Sequence, residues 1–285
     1  MRKRIFTIIT AVAFLSVSQA VFSQDAPAPK AEAKPAQEEG PSVDIALDVA
    51  TTYMWRGIDV YAGKFEADEK DDGAFNMAPS LMPSLTYSSP IEGLSFNIWM
   101  AYNATERDDE KGALRYADEV DFTAGYEFDN KAGSWSAAYI MYAYPTGGST
   151  YSELVFGYTA PVMLSPSVSV AAADALGGST LYYSFGIGHG IESGAISIEP
   201  SVSYNLWYLT NEEDRADFAD GLKSHLDISI PVSYSISDKM SAGLSALISY
   251  RMYGKDLDKT IGVDGSEIDK QALKAAVSLS FAYSL

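Results

Sequence analysis

The segment Val277-Ser-Leu-Ser-Phe-Ala-Tyr-Ser-Leu285 alternates strictly between apolar residues and small ones. Every odd-numbered residue in it is apolar, and the residues between are Ser or Ala. A repeat of two residues is the period of a β-strand, because successive side chains point to opposite faces. The segment therefore predicts a strand with one apolar face. The same rule, apolar residues on one face and small or polar residues on the other, can be applied to the rest of the chain.

The same alternation recurs from residue 43 onward, interrupted by turn-forming residues. It predicts twelve strands, at 43–56, 75–87, 94–103, 118–128, 134–144, 150–159, 166–174, 180–190, 195–208, 223–236, 239–253 and 272–285.

The predicted connections alternate between two classes. The short ones are rich in Pro, Gly, Asn, Asp and Ser: Ser88–Gly93, Asp129–Gly133, Ala160–Ser165, Glu192–Gly194 and Ser237–Asp238. Between them lie four long acidic loops, Ile58–Ala74, Ala104–Ala117, Leu209–Leu222 and Gly254–Gln271, and two shorter ones, Pro145–Ser149 and Ala175–Ser179. Membrane barrels have short periplasmic turns and longer outer loops. A soluble β-sandwich is the alternative, and it would bury the apolar face in a dry core.

We therefore predict an all-β fold, a single 12-stranded antiparallel transmembrane β-barrel of the outer-membrane type, at residues 43–285.

The residues before the barrel are predicted to direct export. Residues 1–23 are predicted to be a signal peptide, with basic Met1–Arg4 followed by the apolar stretch Ile5–Val17; an uncleaved anchor is the alternative. Residues 24–42 are rich in Ala, Pro and Glu and predict a disordered periplasmic linker. An even number of strands is expected to place both termini in the periplasm. The chain has no cysteine, so no disulfide is predicted.

The charge of the chain limits the classes of partner that it can bind. The formal net charge is −18, and the leader contains only basic charges, so the exported chain is more acidic still. This excludes a nucleic-acid partner, which requires a basic face. We predict no cofactor. The expected partners are outer-membrane lipid and lipopolysaccharide, the barrel-assembly machinery through the C-terminal strand, and small solutes or ions.

Aromatic residues are predicted to form two girdles at the membrane interfaces. The long-loop girdle comprises Tyr53, Trp55, Tyr102, Tyr208 and Tyr250. The short-turn girdle comprises Tyr87, Tyr126, Phe128, Trp135, Tyr158, Tyr234, Phe281 and Tyr283.

Charged residues on the opposite, inward face are the candidate pore-lining residues. They are Asp44, Asp48, Arg56, Glu119, Asp121, Glu127, Glu153, Glu199, Asp227, Arg251 and Lys274. Rings of carboxylates favour cations in a pore. The alternative is a network of salt bridges that stiffens the wall, in which Arg56 and Arg251 bridge acids.

Catalysis and metal binding are not predicted. The two histidines are His189, on the outward face, and His225, on the inward face, and no nucleophile motif accompanies either. Four acidic loop segments, Glu66–Asp72, Glu106–Lys111, Glu212–Asp220 and Asp256–Asp269, lack the spacing of a calcium loop. These segments are predicted either to bind divalent ions diffusely or to form a solvated acidic surface without a binding role.

The segment Asp48-Val-Ala-Thr-Thr-Tyr-Met-Trp-Arg-Gly-Ile-Asp59 resembles the opening hairpin of a family of uncharacterised outer-membrane proteins, the TorF-type porins. Tyr53, Trp55, Arg56 and Gly57 match the family's Tyr-x-Phe/Trp-Arg-Gly pattern. A threonine replaces the usual preceding Ser, and the Ser-Gln that often follows is absent. The match spans about ten residues. The resemblance implies an outer-membrane barrel that acts as a diffusion channel, and it supplies no catalytic residues.

The expected function is passive diffusion of small hydrophilic solutes with a preference for cations. Two alternatives stay open. One is a plugged structural or adhesive barrel, with a lumen filled by Ile58–Ala74 or Gly254–Gln271. The other is a lipid-modifying enzyme that uses His189 or His225.

Overall fold

The computed structural model describes residues 41–61, 78–104, 117–145, 147–148, 150–173, 180–209, 222–252 and 273–285. The predicted signal peptide, nearly all of the linker and the four acidic loop segments lie outside these residues. No helix in the described part of the chain is long and apolar enough to cross a membrane.

The described residues form β-strands joined by turns. In chain order these are β1 (Ser42–Ala50), β2 (Met54–Trp55), β3 (Ile58–Asp59), β4 (Ser80–Ser88), β5 (Leu94–Asn103), β6 (Glu119–Asn130), β7 (Gly133–Ala143), β8 (Tyr151–Thr159), β9 (Ser167–Ala173), β10 (Thr180–Gly188), β11 (Ile191–Ser193), β12 (Ile196–Ile198), β13 (Ser201–Leu209), β14 (Leu222–Ser235), β15 (Met240–Arg251) and β16 (Leu273–Ser284).

Twelve of these strands close into one antiparallel barrel: β1, β4 to β10, and β13 to β16. Each pairs with the next along the chain, and the ring closes where β1 pairs with β16, from Asp44 opposite Ser284 to Ala50 opposite Ser278. The short strands β11 and β12 continue β10 and β13 beyond a break at Pro200. The predicted fold class and strand number are thus confirmed.

The two ends of the barrel differ as the loop pattern predicts. At the short-turn end, strands are joined by residues 89–93, 131–132, 160–166, 194–195 and 236–239. Both the start of β1 and the end of β16 lie at this end, where the Leu285 amide donates to the Val43 carbonyl at 2.9 Å. We call the opposite end the long-loop end.

The outward face of the wall is apolar and exposed. On β16, Leu279 is 49 % and Phe281 is 53 % exposed, whereas Ser280 between them faces inward. Exposed Phe, Leu, Ile and Tyr side chains recur on the other strands of the barrel. A sandwich would have buried this face, so the arrangement excludes that alternative and suits a barrel surrounded by hydrocarbon.

The predicted end of the first strand is wrong. The span 43–56 was expected to be a single wall strand, but β1 ends at Ala50. The chain then leaves the wall, and most residues from Tyr53 to Tyr61 become almost fully buried. Alternation of residue types could not reveal this change, because Tyr53 and Trp55 keep the same period of two inside the lumen.

Candidate functional site

A hairpin formed by residues 51–61, here called the lumen hairpin, occupies the interior of the barrel near the long-loop end. Its two strands are β2 and β3, and the Val60 amide donates to the Tyr53 carbonyl at 2.9 Å. Arg56 and Gly57 form the tip with φ of 47° and 76°. Glycine adopts positive φ without steric cost, which explains Gly57 at this position.

Gly57 also makes a close contact with the wall. A Cβ atom at this residue would lie 2.8 Å from His225 Cδ2 and 3.0 Å from Ser249 Oγ. Both the backbone conformation and the available space therefore require glycine. The tip of the hairpin rests directly against β14 and β15.

Hydrogen bonds fix the base of the hairpin. The Thr52 hydroxyl donates to Asp59 Oδ1, and the Tyr61 amide donates to the same oxygen at 3.2 Å. The Tyr61 hydroxyl donates to Asp118 Oδ2 at 3.1 Å, and this oxygen also accepts from the Asn103 amide at 2.8 Å. The hairpin is thus tied to the end of β5 and to the residue before β6.

Aromatic packing holds the body of the hairpin. Tyr53 lies 5.3 Å from Trp99, centroid to centroid, and Trp55 lies 5.3 Å from Trp207 and 6.5 Å from Tyr142. These three wall residues all face inward. The predicted placement of Tyr53 and Trp55 in the outer girdle is therefore wrong. Burial against lumen aromatics satisfies their apolar surface as well as a lipid interface would.

The other predicted girdle residues lie on wall strands and face outward. At the short-turn end Phe128 stacks on Trp135 at 6.3 Å, and Trp135 contacts Tyr158 at 4.5 Å. Tyr87, Tyr126, Tyr234, Phe281 and Tyr283 are exposed at the same end. At the long-loop end Tyr250 is exposed, whereas Tyr102 and Tyr208 are partly covered.

Arg56, at the hairpin tip, is held by a carboxylate and by aromatic faces. Its Nη1 and Nη2 atoms donate to Glu153 Oε1 at 2.9 Å and to Oε2 at 2.6 Å. The guanidinium carbon lies 4.4 Å from the Tyr182 ring centroid, 5.1 Å from Trp207 and 4.9 Å from Trp55. Two-pronged pairing with a carboxylate and stacking on aromatic faces both match the planar shape of a guanidinium. The sequence predicted an inward Arg56 and, as an alternative, a bridge from Arg56 to an acid, but it did not predict the cage that Glu153 forms together with the rings of Tyr182 and Trp207.

Carboxylates and phenols surround the cage. Tyr142 donates its hydroxyl to Glu153 Oε2 at 3.1 Å, and Tyr144 donates to Glu119 Oε1 at 3.3 Å. Burial, and secondarily the nearby Glu119 carboxylate, raise the pKa of Tyr144, which lies beyond the end of β7. Its phenol therefore stays protonated and can donate.

His225 lies beside the hairpin tip in a second polar group. Its Nε2 atom is 3.2 Å from the Tyr182 hydroxyl and 3.3 Å from Asp227 Oδ2. Asn205 donates to the same Asp227 oxygen at 3.0 Å. The Nε2 atom of His225 therefore contacts both a phenol and a carboxylate. Among the described residues the nearby Ser249 hydroxyl has no hydrogen-bond partner, so it does not form a serine–histidine pair with His225.

The remaining predicted pore-lining residues also face inward. Asp44, Asp48, Glu119, Asp121, Glu153, Asp227, Arg251 and Lys274 are buried, and Glu127 and Glu199 are half-buried toward the short-turn end. His189 is exposed on the outward face, as predicted. No cluster of three or more His, Cys, Asp or Glu side chains suited to a metal ion occurs within the described ranges.

A cavity of about 180 Å³ opens beneath the hairpin, toward the short-turn end. The hairpin roofs it with Thr52, Tyr53 and Met54, and its carboxylates are Asp48, Glu199 and Asp227. Its walls combine apolar side chains such as Met82, Trp99 and Leu247 with serines from four neighbouring strands and their extension: Ser197, Ser201, Ser203, Ser229, Ser233, Ser245, Ser278 and Ser280. The cavity thus lies on the short-turn side of the hairpin, which occupies the lumen near the long-loop end.

Comparisons with known proteins give weak similarities. No protein-family model matches the chain, and no curated protein matches it. The NanC porin is a similar solved structure, with TM-score 0.47, 8 % identity and coverage of 85 % of this chain and 100 % of that one. The outer membrane channel DcaP of Acinetobacter baumannii has TM-score 0.38, 10 % identity and coverage of 86 % and 96 %. An anion-selective porin from Comamonas acidovorans has TM-score 0.33, 9 % identity and coverage of 86 % and 98 %.

Proposed function

We propose that this chain is a bacterial outer-membrane channel through which small hydrophilic solutes diffuse passively, with a preference for cations. The observation that carries the proposal is the closed barrel itself, with an apolar outward face, charged and polar residues on the inward face, and an internal cavity to which eight serines contribute. Serine hydroxyls can replace part of the hydration shell of a passing solute without binding it tightly. The motif from Tyr53 to Gly57 supports membership of the TorF-type porins.

The cation preference is proposed from the charges of the inward face. Asp48, Glu199 and Asp227 line the cavity, and Glu119 and Asp121 lie close to the lumen hairpin. The cation Arg56 is neutralised by Glu153. A lumen whose carboxylates outnumber its unneutralised cations attracts cations and repels anions.

The lumen hairpin supports a second candidate, a plugged barrel. Its aromatic side chains pack against inward-facing wall residues near the long-loop end, so solutes must pass beside it or displace it. Such a barrel would serve as a platform for its long loops. This candidate corresponds to the predicted alternative, although the filling segment begins earlier, at residue 51.

Membrane placement follows from the same features. We propose that the short-turn end, with both strand termini, faces the periplasm, behind a cleaved signal peptide and a flexible linker. The outward face would contact outer-membrane lipid and lipopolysaccharide, and β16 would be the strand presented to the barrel-assembly machinery. We propose no enzymatic role, since the Ser249 hydroxyl, the serine that lies with His225 at the hairpin tip, has no hydrogen-bond partner among the described residues.

Single-channel recording in a planar bilayer under a salt gradient tests the channel. We expect discrete current steps and a reversal potential of the sign that indicates cation selectivity. A variant with Asp44, Asp48, Glu119 and Asp121 changed to Asn or Gln should shift the reversal potential toward zero. A variant with exposed Asp129 changed to Asn is the matched control and should leave it unchanged. A folded protein that passes no current would favour the plugged barrel instead.

A further inference from the structure

The environment of Arg56 has the composition of a binding site for an organic cation. Three features of the barrel wall meet at its guanidinium: the two carboxylate oxygens of Glu153, the Tyr182 ring at 4.4 Å and the Trp207 ring at 5.1 Å. Aromatic faces with a carboxylate are the groups that proteins use to recognise guanidinium and alkylammonium ligands. The occupant here is a residue of the same chain.

The wall part of this site is held in place without Arg56. Tyr142 donates to Glu153 Oε2, and the Tyr182 hydroxyl is bonded to His225, which in turn contacts Asp227. Tyr182 also packs edge-on against Trp207 at 4.9 Å. All these side chains belong to wall strands, so contacts within the wall support their arrangement in addition to the contacts that the hairpin makes with Trp207 and His225.

The occupant, by contrast, is carried on a short element. The strands of the lumen hairpin are two residues each, and among the described strands they pair with one another alone. A hairpin of this size has little stability of its own and depends on its contacts with the wall. A solute with a guanidinium group would therefore compete with Arg56 for the same three wall residues.

We propose that Glu153, Tyr182 and Trp207 form a recognition site for guanidinium-bearing solutes, and that Arg56 occupies it as an internal competitor. Binding of such a solute releases the hairpin tip from the wall. The consequence for conduction rests on the proposed channel function, whereas binding itself is a property of the lumen wall. The two can therefore be tested separately.

The test is a titration of refolded Arg56→Ala protein in detergent with methylguanidinium chloride, followed by tryptophan fluorescence, because Trp55 and Trp207 lie at the site. We expect saturation in the variant at a concentration about tenfold lower than in the unsubstituted protein, since an internal occupant reduces the fraction of empty sites. Sodium chloride at equal ionic strength should give no saturation. Lys239→Ala, which removes an exposed cation in a short turn, should behave as the unsubstituted protein.

Two further variants keep the proposal falsifiable. Arg56→Ala/Glu153→Gln should lose saturable binding, because the carboxylate is absent. If Arg56→Ala does not fold, as judged by heat-modifiable gel mobility, Arg56→Lys serves instead, since an ammonium cannot form the two-pronged pair and should be displaced more easily. Three outcomes would overturn the site: a fluorescence change that rises linearly with methylguanidinium concentration, a change of the same size with sodium chloride, or saturation that persists after Glu153→Gln. Saturable binding without any current in a bilayer would leave the site standing and refute the channel.

Discussion

Arg56 and Glu153, 97 positions apart in the chain, form a two-pronged ion pair inside the barrel, with N–O distances of 2.9 and 2.6 Å. The pair joins the tip of the lumen hairpin to β8. Both side chains are almost fully buried, at 5 % and 3 % exposure. In such surroundings removal of one partner leaves the other charge uncompensated.

Glu153→Gln should loosen the lumen hairpin. The substitution leaves the Arg56 charge without a counter-charge, so we expect the free energy of unfolding to fall by about 3 kcal/mol. The measurement is the urea midpoint of the refolded protein. Glu92→Gln removes a carboxylate from an exposed short turn and should change the midpoint little. Equal midpoints for the two variants would mean that the ion pair does not hold the hairpin.

Gly57→Ala should displace the hairpin tip. Its Cβ would lie 2.8 Å from His225 Cδ2, and its φ of 76° already disfavours alanine. We expect a loss of about 2 kcal/mol in unfolding free energy, from backbone strain and overpacking together.

Gly194→Ala separates the two causes in the Gly57→Ala variant. Gly194 has φ of 65°, but no atom lies within 4 Å of the position that an alanine Cβ would take, so only backbone strain is expected, about 1 kcal/mol. Tryptophan emission should change in Gly57→Ala alone, because Trp55 is on the hairpin. Equal losses and unchanged emission in both variants would contradict close packing of the tip on His225.

His225→Ala should destabilise the barrel, whereas His189→Ala should not. His225 contacts Tyr182 and Asp227 in the buried lumen, and its removal leaves those groups short of a partner, at a cost of about 1–3 kcal/mol. His189 is exposed on the outward face. Urea unfolding distinguishes them. A parallel assay of phospholipid hydrolysis should show background activity throughout; activity abolished by either substitution would support the enzyme alternative.

Leu244→Arg should impair insertion into lipid. Leu244 is 49 % exposed on the outward face near the middle of β15. An arginine at mid-membrane costs about 2–4 kcal/mol, falling to about 0–1 near the interface. Met163→Arg, in a short turn where Met163 is 82 % exposed, is the matched control. The fraction that folds into lipid vesicles, measured by heat-modifiable gel mobility, should fall for Leu244→Arg but not for Met163→Arg. Equal folded fractions for the two variants would argue against a lipid-facing wall at Leu244.

The strands of the wall were predictable because their signal is local. In β16 the period of two is visible in every residue from Val277 to Leu285, and β6, β14 and β15 show it with similar clarity. Turn residues such as Asp129 to Gly133 mark where one strand ends and the next begins. The inward position of Asp48 or Asp227 then follows from the register, since a strand has only two faces.

The lumen hairpin was decided by tertiary structure alone. Tyr53 and Trp55 alternate with the wall period, and aromatic side chains at that point suit a membrane interface as well as a buried cluster. What draws them inward is contact with Trp99 and Trp207, which lie far along the chain and meet the hairpin only after the barrel closes. The sequence by itself thus determined the barrel, its faces and its turns, because those depend on neighbouring residues. The occupant of the lumen depended on which side chains the closed ring brings together, and no local period encodes that.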